Sequence, residues 1–113
     1  MTQNSRKRDL ARQYKERETR QGIIAVRCAA DGRVWVAAAR NLDQQQNRIW
    51  FQLKLGGHTN KALQTAWNAH GADAFAFEVL EEVTNENALL IPALLKERLA
   101  HWLETLGAQK LVG

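Results

Sequence analysis

The sequence predicts an α+β domain: a small three-stranded antiparallel sheet flanked by helices and preceded by a basic N-terminal helix. Three observations carry this prediction. They are a β-type hairpin with an Asp-Gly turn, one alternating run near residue 78, and helical apolar spacing in the segments between and after them. A small sheet must bury an apolar face against helices. Since 113 residues support one core, we expect the basic helix over 1–21 and the domain over 22–113.

The N-terminal segment is predicted to be a basic, weakly amphipathic helix. Residues 4–20 contain no glycine or proline and are rich in Arg, Lys, Glu, Gln and Ala, which favour helix. Leu10 and Tyr14 lie four residues apart and would share a face. Residues 1–21 hold seven Lys or Arg and three Asp or Glu, and residues 22–72 hold six and two. Residues 73–113 hold three and seven, so the first two thirds of the chain would attract a polyanion.

Three strands are predicted. Runs rich in Ile, Val and Ala cover 22–29 and 33–38, and the Asp-Gly pair between them is a strong hairpin signal. The third run, 74–81, alternates, with Phe75, Phe77 and Val79 on one face.

Three helices complete the domain. The first covers about 42–54, with Asn41 as its cap, and the second covers 59–70, with Thr59 as its cap. The third covers 92–106, with Pro92 in its first turn. Its apolar stripe consists of Leu95, Leu99, Trp102 and Leu106.

Composition excludes several classes of protein. No run of about 18 apolar residues is present, and the basic N-terminus lacks the apolar region of a secretory signal, so a cytoplasmic location is expected. The single cysteine, Cys28, lies in an apolar run and is expected to be a buried, reduced thiol. The three histidines lack metal-ligand spacing, so no zinc site is predicted, and His70 is expected to pack on an apolar helix face.

The order of several short motifs resembles the GIY-YIG endonuclease domain over about residues 22–106. The motifs are Gly22-Ile23-Ile24, Trp35-Val36-Ala37, Asn41-Leu42, Gly57-His58, the segment 67–71 and the segment 75–81. The resemblance extends to the lead helix, where small bacterial members have the run found here at 14–17. It implies a central three-stranded sheet flanked by helices and a metal-dependent cut in a DNA phosphodiester.

The resemblance also implies a set of reactive side chains, most of which are replaced here. The family uses two tyrosines, a glycine, an arginine, two histidines and a metal-binding glutamate. Ile24 and Trp35 stand at the tyrosine positions, and Ala37 stands at the glycine of the second motif. The arginine, first histidine and glutamate positions hold Gln45, Ile49 and Leu99, while the second histidine is retained as His58. No catalytic residue and no metal ligand are therefore predicted.

The leading hypothesis is that the protein has a nuclease-like fold and binds double-stranded DNA without cutting it. Its role would be transcription-regulatory or nucleoid-associated. The stretch Trp50-Phe51 must present one aromatic side chain outward, where it could stack on a base. Phosphate contacts are expected from basic residues of the lead helix and of the segment 40–61. These are Arg6, Lys7, Arg8, Arg12, Lys15, Arg40, Arg48, Lys54, His58 and Lys61.

Two alternatives are left open. One is a divergent nuclease in which His58, Arg48 and Glu97 act in a shifted arrangement, and only this alternative requires Mg²⁺. The other is a protein-interaction module, such as a homodimer formed through Trp50, Phe51 and the lead helix.

Overall fold

A computed structural model describes residues 20–112. The predicted N-terminal helix lies outside these residues. The described segment runs β1 (Gln21–Cys28), β2 (Val34–Ala39), α1 (Leu42–Leu55), α2 (Lys61–His70), β3 (Phe75–Val83), α3 (Ile91–Leu106) and β4 (Gln109–Lys110). The predicted hairpin, third strand and three helices are confirmed to within two residues.

The sheet has four strands in the order β3-β1-β2-β4, so the predicted count of three was one too few. β1 pairs antiparallel with both β2 and β3, as predicted, whereas β4 runs parallel to β2 at the edge. β4 consists of two exposed polar residues, which are too few to form an alternating pattern that would predict a strand from the sequence. Backbone hydrogen bonding holds it, because the Leu111 amide donates to the Val36 carbonyl at 3.0 Å.

Glycine and asparagine residues lie at the boundaries of several of these elements. Gly32 takes a left-handed φ of 77° in the hairpin turn, and Gly107 ends α3 at φ 59°. The predicted cap Asn41 precedes α1, but its side chain makes no capping hydrogen bond. The second helix is capped by Asn60 rather than Thr59, since the Asn60 side chain accepts from the Leu63 amide at 3.0 Å.

The sheet separates two apolar cores. On one face, alternate residues of the hairpin pack with α1 and α2; this core includes Ile24, Trp35 and Ile49. On the other face, the intervening hairpin residues, including Ile23 and Val36, pack with α3. Successive side chains of a strand point to opposite faces of the sheet. Because helices cover both faces, the hairpin has apolar side chains on both of them.

A β-bulge interrupts the alternation of β3 after Val79. Ile23 pairs with Glu81 and Ile24 pairs with Val79, so one residue of β3 is extra at this point. Leu80 packs against the α3-side core, and Val79 is 42% exposed. The bulge lies beyond Val79. Phe75, Phe77 and Val79 pair with Cys28, Val26 and Ile24, which all belong to the core under α1 and α2, so the prediction that these three residues share a face is confirmed.

Among residues 20–112, no helix has both the length and the apolar character needed to cross a bilayer.

Candidate nucleic-acid interface

A polar pocket lies where β2 ends and α1 begins. Its volume is about 340 Å³, and it is lined by Arg40, Asn41, Gln44, Gln45, Asn47 and Arg48. Arg40 follows the last residue of β2, and the other five lie at the cap and in the first two turns of α1. Among residues 20–112, the lining therefore combines two guanidinium groups with four side-chain amides and contains no carboxylate.

The two guanidinium groups of the pocket are not neutralised within the described segment. Neither Arg40 nor Arg48 is paired with a carboxylate there, although other arginines form five ion pairs with carboxylates. The acid of the first turn, Asp43, is bound by Arg20 at 2.7 Å, and Arg20 also bonds Glu82 at 3.1 Å. The pocket consequently has a positive local charge suited to a phosphate.

Asn41 adds an unused acceptor to this pocket. Its Oδ1 is buried and finds no hydrogen-bond donor within residues 20–112. A buried acceptor without a partner is costly. Guanidinium and amide groups together are the side chains that contact phosphate oxygens and base edges.

An apolar stripe continues the same face of α1 beyond the pocket. Phe51 and Leu55 lie three and seven residues after Arg48, so all three share a face of the helix. Phe51 is 64% exposed and Leu55 is 70% exposed. Trp50 instead packs against Trp67, with ring centroids 5.4 Å apart. The prediction that one aromatic of this pair faces outward is confirmed, and it is Phe51.

The remaining predicted phosphate contacts are not brought together with the pocket. Lys54 and Lys61 are exposed, but neither lines it. Lys54 follows Arg48 by six residues, which at about 3.6 residues per turn places it on another side of α1. The predicted contacts at Arg6, Lys7, Arg8, Arg12 and Lys15 lie outside the described residues.

His58 has a structural position in the loop before α2. Only 8% of the residue is exposed. Its Nδ1 accepts from the Asn60 amide at 2.9 Å, and its own amide donates to Gln64 Oε1 at 3.1 Å. Burial lowers the pKa of His58, so the ring is neutral at pH 7. Little of the ring is left for the predicted phosphate contact, and we do not include His58 in the interface.

The buried His58 predicts a loss of stability in mild acid. Its pKa is lower in the folded chain than the ordinary value of about 6.5, so below that pH the unfolded chain binds the proton more tightly. The free energy of unfolding should decrease as the pH falls from roughly 6.5 towards the folded-state pKa. Denaturant titrations at several pH values measure this decrease. His58→Asn, which keeps an acceptor for the Asn60 amide, should make this decrease in the free energy of unfolding smaller.

His101→Asn is the matched control, because His101 is exposed on α3 and its variant should keep the pH dependence of the parent. An unchanged pH dependence in His58→Asn would show that His58 does not cause the loss.

The positions at which the resemblance expects reactive side chains are mostly part of the cores. Ile24 and Trp35 are fully buried, and Ala37 and Ile49 are 3% and 2% exposed. All four belong to the core under α1 and α2. The Trp35 indole Nε1 has no acceptor among residues 20–112. Only Gln45 of this set reaches the pocket, and an amide carries no charge to offset a developing phosphorane.

The metal implied by the resemblance does not fit the residues present. Leu99, at the glutamate position, packs into the other core, on the α3 side of the sheet. Glu97 is exposed on α3 and is absent from the lining of the pocket. The pocket itself offers amides and guanidinium groups, whereas Mg²⁺ prefers carboxylate oxygens.

Three residues that line the pocket were not predicted from the sequence to belong to a site: Asn41, which was expected only as a helix cap, Gln44 and Asn47. A run of exposed amides on a helix has the pattern of an ordinary solvated face. The available signal was the clustering of Gln and Asn around two arginines over 40–48.

Comparison with known proteins supports the fold. No protein-family model matches the sequence. The chain is 28% identical over 88 residues to the intron-associated endonuclease 1 of Enterobacteria phage T4, covering 78% of this chain and 34% of that protein. It thus spans about a third of the length of this curated relative.

The fold is also that of a solved structure, the catalytic domain of the homing endonuclease I-TevI, with a TM-score of 0.68 and 25% sequence identity. The match covers 82% of this chain and 99% of that domain. A point mutant of the catalytic domain of intron endonuclease I-TevI gives the same TM-score and identity. Together with the motif order and the sheet between α1, α2 and α3, these matches identify the chain as a GIY-YIG nuclease-like domain.

Proposed function

We propose that this domain binds double-stranded DNA through the pocket and the apolar stripe of α1 and does not cut it. The observation that carries this proposal is the presence of two guanidinium groups, those of Arg40 and Arg48, in a pocket to which the described part of the chain contributes no carboxylate. Phe51, one turn further along the same face, supplies an exposed ring that can stack on a base or enter a groove. Such a surface suits a regulatory or nucleoid-associated protein.

The absence of cutting is supported by the chemistry of the buried positions. Phosphodiester cleavage requires a proton-accepting group, a cation for the developing charge and a metal for the leaving oxygen. Ile24 and Leu99 can supply none of these, and the indole of Trp35 can only donate. Apolar packing at these positions stabilises the two cores instead.

A second candidate function is a divergent metal-dependent endonuclease. The likeness to an intron-associated endonuclease and to the catalytic domain of a homing endonuclease favours it. Arg48 would then provide the phosphate cation and Glu97 a metal ligand, in an arrangement different from that of the family. A homodimer formed through Phe51 and Leu55 is the third candidate, and it would bury their exposed side chains.

One experiment separates the three candidates. The purified full chain is incubated with supercoiled and with linear duplex DNA, with and without Mg²⁺ or Mn²⁺, and both retardation and strand breaks are scored. Retardation without breaks supports DNA binding, whereas metal-dependent breaks support the nuclease. No retardation at about 50 mM salt and micromolar protein contradicts DNA binding, and a dimer in sedimentation would then favour the interaction module.

The pocket predicts a specific change in salt dependence. If four to six phosphates are contacted, log K should fall against log[salt] with a slope of about −4 to −5. The double variant Arg40→Gln/Arg48→Gln removes two contacts, so its slope should be shallower by about 2 and its binding weaker for all sequences alike. Fluorescence anisotropy over a salt series measures both quantities.

Lys96→Gln/Lys110→Gln is the charge-matched control, since both lysines are exposed outside the pocket. We expect the control to keep the slope of the parent. Equal slopes in the two double variants would mean that binding depends on net charge and not on the pocket.

A further inference from the structure

Three side chains of different chemistry converge beside the hairpin turn, on residues that the proposed DNA interface does not use. Cys28 Sγ, a carboxylate oxygen of Asp31 and an imidazole nitrogen of His70 all lie within 4.8 Å of one another. Cys28 ends β1, Asp31 lies in the turn, and His70 ends α2. No zinc site was predicted from the sequence, because the three histidines lack metal-ligand spacing. His70 was expected to be a partly buried packing residue, and its side chain is 34% exposed.

We infer that Cys28, Asp31 and His70 form a binding site for Zn²⁺, with a water molecule in the fourth position. Thiolate, imidazole and carboxylate are the three ligand types that zinc takes in proteins. A soft sulfur with a borderline nitrogen selects zinc over Mg²⁺ and Ca²⁺, which prefer oxygen ligands only. On binding, the Cys28 thiol would release its proton to solvent.

The separation between two of the ligands agrees with a shared metal. His70 Nε2 lies 3.7 Å from Asp31 Oδ2, which is too long for a hydrogen bond. In a tetrahedral site with metal–ligand distances near 2.0–2.2 Å, nitrogen and oxygen ligands lie about 3.4 Å apart. The pair would therefore need to move by only a few tenths of an ångström.

Backbone hydrogen bonds hold the three ligands in place. The Cys28 amide donates to the Arg33 carbonyl at 2.9 Å, which closes the turn that contains Asp31. The Ala29 amide donates to the Ala74 carbonyl at 2.8 Å, which fixes the chain after α2 against the hairpin. Much of the ordering cost of the site is thus met by folding, and the metal would cross-link the turn to the end of α2.

Arg33 orients the carboxylate of the site. Its amide donates to Asp31 Oδ1 at 2.9 Å, and its guanidinium Nε donates to Oδ2 at 3.0 Å. An ionised carboxylate has about four lone-pair positions, so these two bonds leave capacity for a metal. Outer hydrogen bonds of this kind are what position a ligating side chain.

The test is metal titration of the full chain after removal of any histidine tag. Co²⁺ should bind one to one and give the near-ultraviolet charge-transfer band of a cobalt–thiolate bond, and Zn²⁺ should displace it and raise the Tm. Cys28→Ser should lose the band, and His70→Gln should weaken Co²⁺ binding at least about tenfold. His101→Gln, an exposed histidine outside the cluster, should bind as the parent does.

His70→Gln keeps the test decisive if Cys28→Ser fails to fold, because the His70 side chain is 34% exposed at the end of α2 and Gln is a polar side chain of similar size. Absence of a thiolate band in the parent would overturn the site. Equal affinity of the parent and His70→Gln would overturn it as well. Neither result bears on DNA binding.

Discussion

The purified domain should produce no strand breaks in supercoiled DNA with Mg²⁺ or Mn²⁺. Losing one group that stabilises transition-state charge typically reduces the rate about 10²–10³-fold. At the positions that the resemblance implies, Gln45 would stand in place of the phosphate cation, and Leu99, in the α3-side core, in place of the metal carboxylate. Two losses of that size amount to at least about 10⁴-fold, even before Ile24 and Trp35 are considered.

Conversion of supercoiled plasmid to open circles over several hours measures this rate, with a metal-dependent endonuclease of known activity as the positive control. Nicking that needs metal, stops with EDTA and decreases in both Arg48→Gln and Glu97→Gln would contradict the expectation. That combination of results would establish the divergent nuclease, because both residues are exposed and neither belongs to a core.

Local patterns were sufficient to predict most of the fold. The Asp-Gly pair predicted the hairpin, because Gly32 can adopt the left-handed φ that the turn requires. The start of α3 followed from Pro92, whose missing amide is tolerated in a first turn. Each of these signals depends on neighbouring residues only, which is why a single sequence contains it.

The features that were missed depend on contacts between distant segments. β4 forms because the chain after α3 returns beside β2, and its two residues carry no pattern of their own. The exposure of Phe51 rather than Trp50 depends on Trp67, 17 residues further along the chain. The cluster of Cys28, Asp31 and His70 likewise requires α2 to end at the hairpin turn.

The burial of the motif positions was also only partly predictable. The register pairs Ile24 with Ala37 and Val26 with Trp35, which places Ile24 and Trp35 on one face of the hairpin. The sequence could not show which face α1 and α2 would cover. The packing of the helices on the sheet decides which face they cover. It therefore also decides whether Leu99 lies on the same side of the sheet as the other motif positions.

Gly22→Ala should be the most destabilising single substitution of a glycine in the described segment. Gly22 pairs with Glu82 on β3, next to the bulge. A Cβ added at Gly22 would overlap the backbone carbonyl oxygen of Glu81 and press on the Glu82 Cα. Because both obstacles are main-chain atoms between two paired strands, the strands themselves would have to separate. We expect a loss of about 3 kcal/mol or more in the free energy of unfolding, above the usual cost of overpacking.

Denaturant titration of the Gly22→Ala variant measures this loss, and Gly57→Ala is the matched control. A Cβ at Gly57 meets no atom within 4 Å, and Gly57 does not adopt a positive φ. The control should therefore change stability by less than about 1 kcal/mol, through the conformational entropy of the unfolded chain. Similar stabilities for the two variants would show that β1 and β3 can separate at the bulge without cost. In that case the close approach at Gly22 would not explain why the first motif begins with glycine.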